Sequence, residues 1–499
     1  MNSRMRLMQT TNLRQSIPRD PATWAVGVAV ILVAGLLIAL PPLLGAALIL
    51  GASGAALVIA RPRWGLYLLL LSIPVQDIGA QGEATLTNAL FGLTLLAWLL
   101  HRAVFGGERL PYAAVGPIFA IFVCGLALSL VVARDIAPGI GALFQWVKAL
   151  LVYFLALDFL RTRRQAIGAL IALTVAGSGE ALLGLAQYGG GAGPASFAIG
   201  EQFSRAYGTF GRPNSYAGYL EMIFPLALTF GWWVWQRRDR NAPPFQRVLS
   251  LAALGGALVI GLAILASFSR GAWLGTAGGL GLMILLASRR SRGVAIALVA
   301  AVGLLAGLGG YALLPQSIRD RADSILGNAA APDVRTAYIT AENFAVVERL
   351  AHWWAGIRMF QQNLPLGVGL GNFNVRFAEF TISPTFLVSQ GHAHNYYIHV
   401  AAEAGLVGLT TYLLLLAVLI GTGLRALQQL NGPGRDPFAR ALTIAVLGTI
   451  AAVGIHNIFE NLHVLSLGIQ LSTAWALLTV VTQPSWDGMA RRGTGDEAT

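Results

Sequence analysis

Long apolar stretches alternate with short polar links along almost the whole chain. The apolar runs recur from Trp24 to Val481, and most approach the roughly 20 residues that a helix needs to cross a hydrocarbon core. They predict an all-α, polytopic membrane protein with about 14 transmembrane helices, or 12 to 13 if the short third run and the run after Pro42 are discounted. The predicted spans are residues 24–40, 43–60, 64–77, 84–100, 112–132, 140–160, 165–187, 214–236, 248–266, 271–288, 293–314, 396–423, 441–458 and 464–482.

Two links between these spans are much longer than the others. The second of them is long enough to form a small domain, and within it residues 343–360 carry Phe344, Val347, Leu350, Trp354 and Ile357 near helical spacing. This pattern predicts an amphipathic helix at the membrane interface. The predicted segments are an N-terminal tail 1–23, helices 1–11 over 24–314 with a loop at 188–213, a large loop 315–395, helices 12–14 over 396–482 and a C-terminal tail 483–499.

Composition agrees with a membrane protein and argues against nucleic-acid binding. Of the 499 residues, 56% are hydrophobic and 11% are charged, whereas a soluble domain carries about a quarter charged residues. The net charge of +12 comes from arginines clustered in the short links, as the positive-inside rule produces. Cys124 is the only cysteine, which excludes an intramolecular disulfide and a cysteine-based metal site.

The arginine-rich links orient the chain. With the N-terminus in the cytoplasm, 23 arginines fall on the cytoplasmic side and ten on the outer side. The opposite orientation would violate the positive-inside rule at almost every short link. We therefore expect both termini in the cytoplasm and both long loops on the outer face.

A histidine at the end of the large loop is the first candidate for chemistry. His394 and Asn395 open the predicted span at 396, where Asn395 suits a helix N-cap. A neutral imidazole at that boundary can take a proton from a hydroxyl, which is general base work. The alternative is an interfacial histidine that only hydrogen-bonds a loop. His392 and His399 are weaker candidates, and no ligand spacing supports a metal site.

Four outer arginines are candidates for binding phosphate, because guanidinium groups offer fork-shaped donors at fixed charge. Arg270 lies in a very short turn, SFSRGAWLG, that topology alone does not require to be charged. Arg205 and Arg212 both lie in the segment RAYGTFGRPN, residues 205–214, which ends at Asn214. Arg349 is the first residue of the run 349–373, which ends with PLGVGLGNF. The alternatives are snorkelling or solvated arginines at helix ends. The glycines of the run resemble a nucleotide loop only superficially, since no strand precedes them.

Four ionisable residues lie inside predicted spans, where charge is costly and usually functional or paired. Lys148, Glu180, Glu221 and Glu403 are seven or eight residues from the outer ends of their spans, or roughly 12 Å deep at 1.5 Å per residue. Their equal depth predicts a polar cavity that opens outward, and Lys148 and Glu180 could pair. The alternative is an isolated ion pair with two protonated or hydrogen-bonded carboxylates.

These motifs resemble the O-antigen ligase and polymerase family of bacterial membrane glycosyltransferases. The strongest match is His394-Asn395, nine residues, then the glycines of GLVG at 405–408. The Ser-Arg-Gly turn at 269–271, the GTF and PN elements at 208–214 and the run at 349–373 occur in the family's order. The resemblance covers about 190–410, and the earlier residues match only as generic spans. Arg212 departs from the pattern, since relatives often carry a smaller polar residue there.

The resemblance implies an inverting transfer of a glycan from undecaprenyl diphosphate to an acceptor hydroxyl at the periplasmic face of the bacterial inner membrane. No metal, cofactor, ATP or nucleotide sugar is expected. His394 would act as the base and Arg270, Arg349, Arg205 and Arg212 would bind the diphosphate. Asn395, Glu403, Asn214, Lys148, Glu180 and Glu221 are expected in supporting roles.

The acceptor is left open by the sequence. Lipid A-core is favoured, which would place the protein in lipopolysaccharide biosynthesis. An O-antigen or exopolysaccharide polymerase would use the same donor with a glycan acceptor, and a protein acceptor such as pilin is a further alternative. A glycolipid flippase is a different class, but it would be expected to show internal repeats and to lack an outer loop of about 80 residues.

Overall fold

The structure is a computed structural model of the chain. It describes residues 41–76, 85–199, 202–237, 244–307, 312, 316, 319, 334–336, 338–340, 343–382, 384–389, 391–432 and 434–487. The chain divides into two compact units, Met1–Ala60 and Arg61–Thr499. The first unit contains the described helix α1, Pro42–Ala60. The predicted N-terminal tail, the span at 24–40 and most of the C-terminal tail lie outside the described residues.

The second unit is built of helices, and the all-α prediction is confirmed. Its sheet among the described residues is a two-residue antiparallel ladder of β1, Ala198–Ile199, and β2, Phe203–Ser204. The helices are α2 Arg63–Ser72, α3 Leu86–Phe105, α4 Val115–Ser129, α5 Ile136–Phe159, α6 Arg163–Gly189, α7 Pro213–Gln236, α8 Pro244–Ala266, α9 Arg270–Leu286, α10 Arg289–Gly307, α11 Phe344–Gln362, α12 Phe373–Phe380, α13 Tyr396–Gln429, α14 Pro437–His456 and α15 Leu467–Val480.

The chain is a membrane protein. By length and composition, seven of the described helices can cross a bilayer: α3, α4 with the turn that follows it, α5, α6, most of α8, α13 and α14. Shorter apolar helices include α2, α9 and α15. Each predicted span from 43–60 onward contains a described helix, while the total of 14 spans and their orientation stay predictions.

Close contact between α9 and α14 sets the position of Arg270. Glycines recur every four residues along α9, and a Cβ added at Gly275 would lie 2.6 Å from the carbonyl oxygen of Ala452. A Cβ at Gly271 would lie 2.4 Å from a ring carbon of His456. Small residues at this spacing let two helix backbones approach closely. The first turn of α9 is therefore held against the end of α14.

The glycine-rich run after α11 is fastened onto α13 at a kink. Gly405 has φ 62° and ψ −154° inside α13, and a Cβ there would lie 2.5 Å from the backbone nitrogen of Gly367. The backbone N–H groups of Val368 and Leu406 donate across the junction, to the carbonyls of Ala402 at 2.9 Å and Leu364 at 2.7 Å. The two backbones cross so closely at this point that glycine is needed in both the run after α11 and the kink of α13.

The helix predicted at 343–360 is present as α11, while its position at the membrane interface stays a prediction. Phe344 and Ile357 are each 42% exposed. The opposite side of α11 is buried because it packs tightly on the first turn of α13, where a Cβ at Gly356 would lie 2.6 Å from Ile398. The buried residues of this face are Val347, Ala351, Ala355 and Met359.

Candidate active site

His394 lies immediately before α13, in a backbone conformation that the surrounding structure holds in place. Asn395 is the N-cap, as predicted, and its side-chain oxygen accepts from the N–H of Ile398 at 3.1 Å. His394 has φ 52°, in the left-handed region that few non-glycine residues adopt. Its carbonyl accepts from the indole N–H of Trp353 on α11 at 3.3 Å. The imidazole is therefore presented by a constrained turn between two helices.

Glu460 faces this histidine from the link between α14 and α15. Its Oε1 lies 3.3 Å from Nδ1 of His394 and 3.3 Å from Nε2 of His392. Its Oε2 accepts from the side-chain amide of Asn214 at 2.5 Å. Burial raises the pKa of Glu460, but His394, His392 and Arg349 outweigh that effect and hold the pKa well below its usual range. Glu460 is therefore an ionised carboxylate beside the imidazole.

The neighbouring His392 faces the same oxygen of Glu460 as His394 does. The backbone N–H of His394 donates to Nδ1 of His392 at 3.1 Å, so the proton of the neutral ring is on Nε2, beside Glu460. Burial lowers the pKa of His392 to about 3, despite the opposite effect of Glu460. For His394, the contact of Nδ1 with Glu460 is close but is not aligned as a hydrogen bond. A proton on that Nδ1 leaves Nε2 free to accept another.

Arg205, Arg270 and Arg349 lie close enough to one another for their charges to interact, and Glu460 lies close enough to act on Arg205. Burial, followed by the charges of Arg349 and Arg270, lowers the pKa of Arg205 to about 10, while Glu460 acts in the opposite direction. The Nε–H of Arg205 donates to the carbonyl of Ser267 at 2.8 Å. Mutual repulsion of guanidinium groups means that an anion bound among them would relieve unfavourable charge.

Asn214, near the start of α7, connects the arginines to the carboxylate. Its side-chain oxygen accepts from Arg205 at 3.2 Å, and its nitrogen donates to Glu460. Arg270 is the first residue of α9, after the N-cap Ser269, so the positive end of the helix dipole adds to its charge. Arg349 lies on α11. Separate segments of the chain therefore meet at one place.

Arg212 is placed differently from the other three arginines. It is exposed and stands at the N-cap position of α7 without a side-chain capping bond. Its charge contributes to the lowered pKa of His392, so it lies near the histidines. Arg212 is thus at the edge of the cluster formed by His394, Glu460, Arg205, Arg270 and Arg349, which we call the outer cluster.

Comparison with known proteins identifies part of the chain. The family model described as O-antigen ligase matches residues 255–413. Over these residues the chain is similar to the O-antigen ligase family. The family expected from the motifs is thereby confirmed, and it supports a glycosyltransferase of the O-antigen ligase and polymerase type. No curated protein matches the chain.

The matched O-antigen ligase region holds only part of the outer cluster. Arg270, Arg349 and His394 lie inside residues 255–413, whereas Arg205 and Glu460 lie outside them. Arg205 and Glu460 therefore join the ligase region to the preceding loop and to the link between α14 and α15, through Ser267 and His394 respectively.

Glu403 supports the glycine-rich run of the ligase region. One of its carboxylate oxygens accepts from the backbone N–H of Phe373 at 2.9 Å, and the N–H of Gly371 also donates to it. The other oxygen lies 3.5 Å from Nε2 of His399. Glu403 thus fixes the run on α13, the helix that follows His394.

The other three ionisable residues of the predicted spans have separate bonding partners. Lys148 donates to the side chains of Asn88 at 2.8 Å and Ser466 at 3.0 Å. Glu180 accepts from the backbone N–H of Thr209 at 2.7 Å. Glu221 contacts Nδ1 of His456 at 2.9 Å, and both side chains are fully buried. These residues therefore bond to different partners, because depth does not fix the direction in which a helix presents a side chain.

A metal is one alternative occupant of the histidine pair. His392, His394 and Glu460 offer candidate ligand atoms within 4.8 Å of one another. However, Glu460 already accepts from Asn214, and the charges of the neighbouring arginines oppose a divalent cation. The donor set fits a carboxylate that is hydrogen-bonded by Asn214 and surrounded by arginines better than it fits a metal centre.

Glu460 is the residue that the sequence interpretation missed. It lies in the short link between the predicted spans at 441–458 and 464–482, on the same expected face as His394. An acidic residue in such a short link is as unnecessary for topology as Arg270 is in its own turn. The same argument that singled out the arginine would have found the carboxylate.

Proposed function

We propose that the chain transfers a glycan from undecaprenyl diphosphate to an acceptor hydroxyl at the periplasmic face of the inner membrane. We propose lipid A-core as the acceptor, which makes the chain an O-antigen ligase. The observation that supports this is the outer cluster, where a histidine paired with a carboxylate meets three guanidinium groups. The reaction needs a base for the acceptor hydroxyl and positive charge for the diphosphate, and these groups can supply both.

The histidine serves the acceptor. The acceptor hydroxyl oxygen forms a bond to the anomeric carbon of the glycan while the bond from that carbon to the diphosphate oxygen breaks. The hydroxyl proton passes to Nε2 of His394, and the resulting imidazolium is stabilised by Glu460 across 3.3 Å. A single displacement of this kind inverts the anomeric configuration.

The arginines serve the donor. Negative charge grows on the diphosphate as the bond to the sugar breaks, and Arg270, Arg349 and Arg205 balance it. Because these guanidinium groups are already held close together, little reorganisation energy is needed when that charge develops. The diphosphate is a good leaving group, so the reaction requires no ATP, nucleotide sugar or metal.

A reconstituted transfer assay tests the proposal. The purified chain is supplied with a lipid-linked repeat unit, with and without lipid A-core. We expect glycan attached to lipid A-core, with inverted configuration at the new linkage by NMR spectroscopy. A ladder of glycan lengths without core would instead identify a polymerase, which uses the same donor. Movement of the lipid-linked donor across vesicles without any transfer would favour a flippase.

A further inference from the structure

An open cleft lies at the helix ends remote from the outer cluster. Its volume is about 500 Å³, within the range typical of ligand sites. α6 begins there at Arg163, and α7 ends there before Arg237, whereas the opposite end of α7 carries Asn214 of the outer cluster. The cleft is lined by Thr162, Arg163, Arg164, Ile167, Trp233, Arg237 and Trp486.

One wall of this cleft is rigidly built. The Arg163 guanidinium lies 2.6 Å from the carboxylate of Asp436. Asp436 also accepts from the indole N–H of Trp486 at 2.6 Å and from the N–H of Phe438 at 3.0 Å, as the N-cap of α14. The ring of Phe438 lies 4.4 Å from that of Trp233. The charge of Arg163 is thus compensated, and the aromatic wall is anchored to it.

The other two arginines give the cleft its positive character. Arg164 and Arg237 are exposed, and the guanidinium of Arg237 lies 4.8 Å over the ring of Trp233. The described residues that line the cleft include no acidic side chain. Guanidinium groups at fixed positions are the preferred protein partners of phosphate oxygens.

The apolar part of the lining decides between a soluble anion and a lipid. Ile167, Trp233 and Trp486 share the cleft with the arginines, and tryptophan is enriched at the level of lipid headgroups. The neighbouring Trp232 is 53% exposed. Basic pockets between membrane helices on the cytoplasmic side are typical sites for anionic headgroups. We propose that this cleft binds the headgroup phosphate of an acidic phospholipid in the leaflet opposite to the outer cluster.

The test compares two double variants with the same loss of charge. R164Q/R237Q removes the exposed arginines of the cleft. R289Q/R290Q removes two exposed arginines at the start of α10, which do not line the cleft. The full chain is reconstituted in phosphatidylcholine, and association of spin-labelled phosphatidylglycerol is measured by electron paramagnetic resonance, with spin-labelled phosphatidylcholine as the reference lipid.

The wild-type chain is expected to retain phosphatidylglycerol in preference to phosphatidylcholine. One basic residue near an acidic headgroup strengthens association roughly fivefold, so R164Q/R237Q should weaken it about 25-fold, while R289Q/R290Q should remain near wild type. Equal losses in the two variants would show only diffuse attraction and overturn the proposal. Complete displacement of the labelled lipid by inorganic phosphate would also overturn it, in favour of a soluble anion. Intact folding of both variants is checked by their thermal unfolding.

Discussion

Replacement of Glu460 by glutamine isolates the role that the structure gives to this carboxylate. The substitution removes the negative charge that lies 3.3 Å from Nδ1 of His394 and keeps the shape of the side chain. The amide oxygen can still accept from Asn214, which now donates to Oε2. The amide nitrogen would then face His394, where a donor disfavours a proton on Nδ1. The expected consequence is a weaker base.

The size of the effect follows from the distance. Two unit charges 3.3 Å apart interact by about 5 kcal/mol at an effective dielectric constant near 20. If half of the imidazolium charge has developed in the transition state, about 2.5 kcal/mol is lost, which is roughly 70-fold in rate. Loss of the correct tautomer would add to this, since removal of the carboxylate charge beside a catalytic histidine has cost about 10⁴-fold in a serine protease.

The assay is steady-state glycan transfer at saturating donor with lipid A-core as acceptor. Glu379→Gln serves as the matched control, because this carboxylate also pairs with arginines, Arg134 and Arg376, but is 39% exposed and is not part of the outer cluster. E460Q is expected to lose kcat while KM for the donor changes little. If E460Q, folded as well as wild type, retained kcat/KM within about threefold, the account of His394 activation would be refuted.

Three further predictions test other parts of the account. His394→Asn should abolish transfer with little loss of stability, because asparagine tolerates the φ of 52° but supplies no base; substantial residual transfer at saturating acceptor would contradict this. EDTA treatment should leave the transfer rate unchanged, and loss of activity that zinc or magnesium restores would show that transfer requires a metal ion, which would contradict the account. Thermal stability should fall as the pH is lowered from about 6.5 to about 5, by up to about 1.4 kcal/mol per pH unit. The reason is that the pKa of His392 is about 3 in the folded chain, so the unfolded ring takes up the proton first. His392→Gln should flatten this dependence on pH, and an unchanged slope in that variant would contradict the assignment.

The positions of the helices could be read from the sequence because each depends on a local apolar run. The same holds for the N-cap Asn395, whose capping bond reaches only as far as Ile398. The family could be recognised because its motifs are short and occur in a fixed order. Local patterns of this kind can be recognised in the sequence without knowing how the helices pack.

Contacts between distant segments could not be read in that way. Asn214 meets Glu460 across 246 positions of sequence, and no periodicity in either segment encodes that distance. The equal depth of Lys148 and Glu180 predicted shared surroundings, yet their hydrogen bonds run to different partners.

A structure of the chain with undecaprenyl diphosphate bound, determined by electron cryomicroscopy in a lipid nanodisc, tests the central claim most directly. The account predicts diphosphate oxygens within hydrogen-bonding distance of the guanidinium groups of Arg270 and Arg349, on the same side of the membrane as His394. Diphosphate bound elsewhere, out of reach of these arginines and of His394, would contradict it.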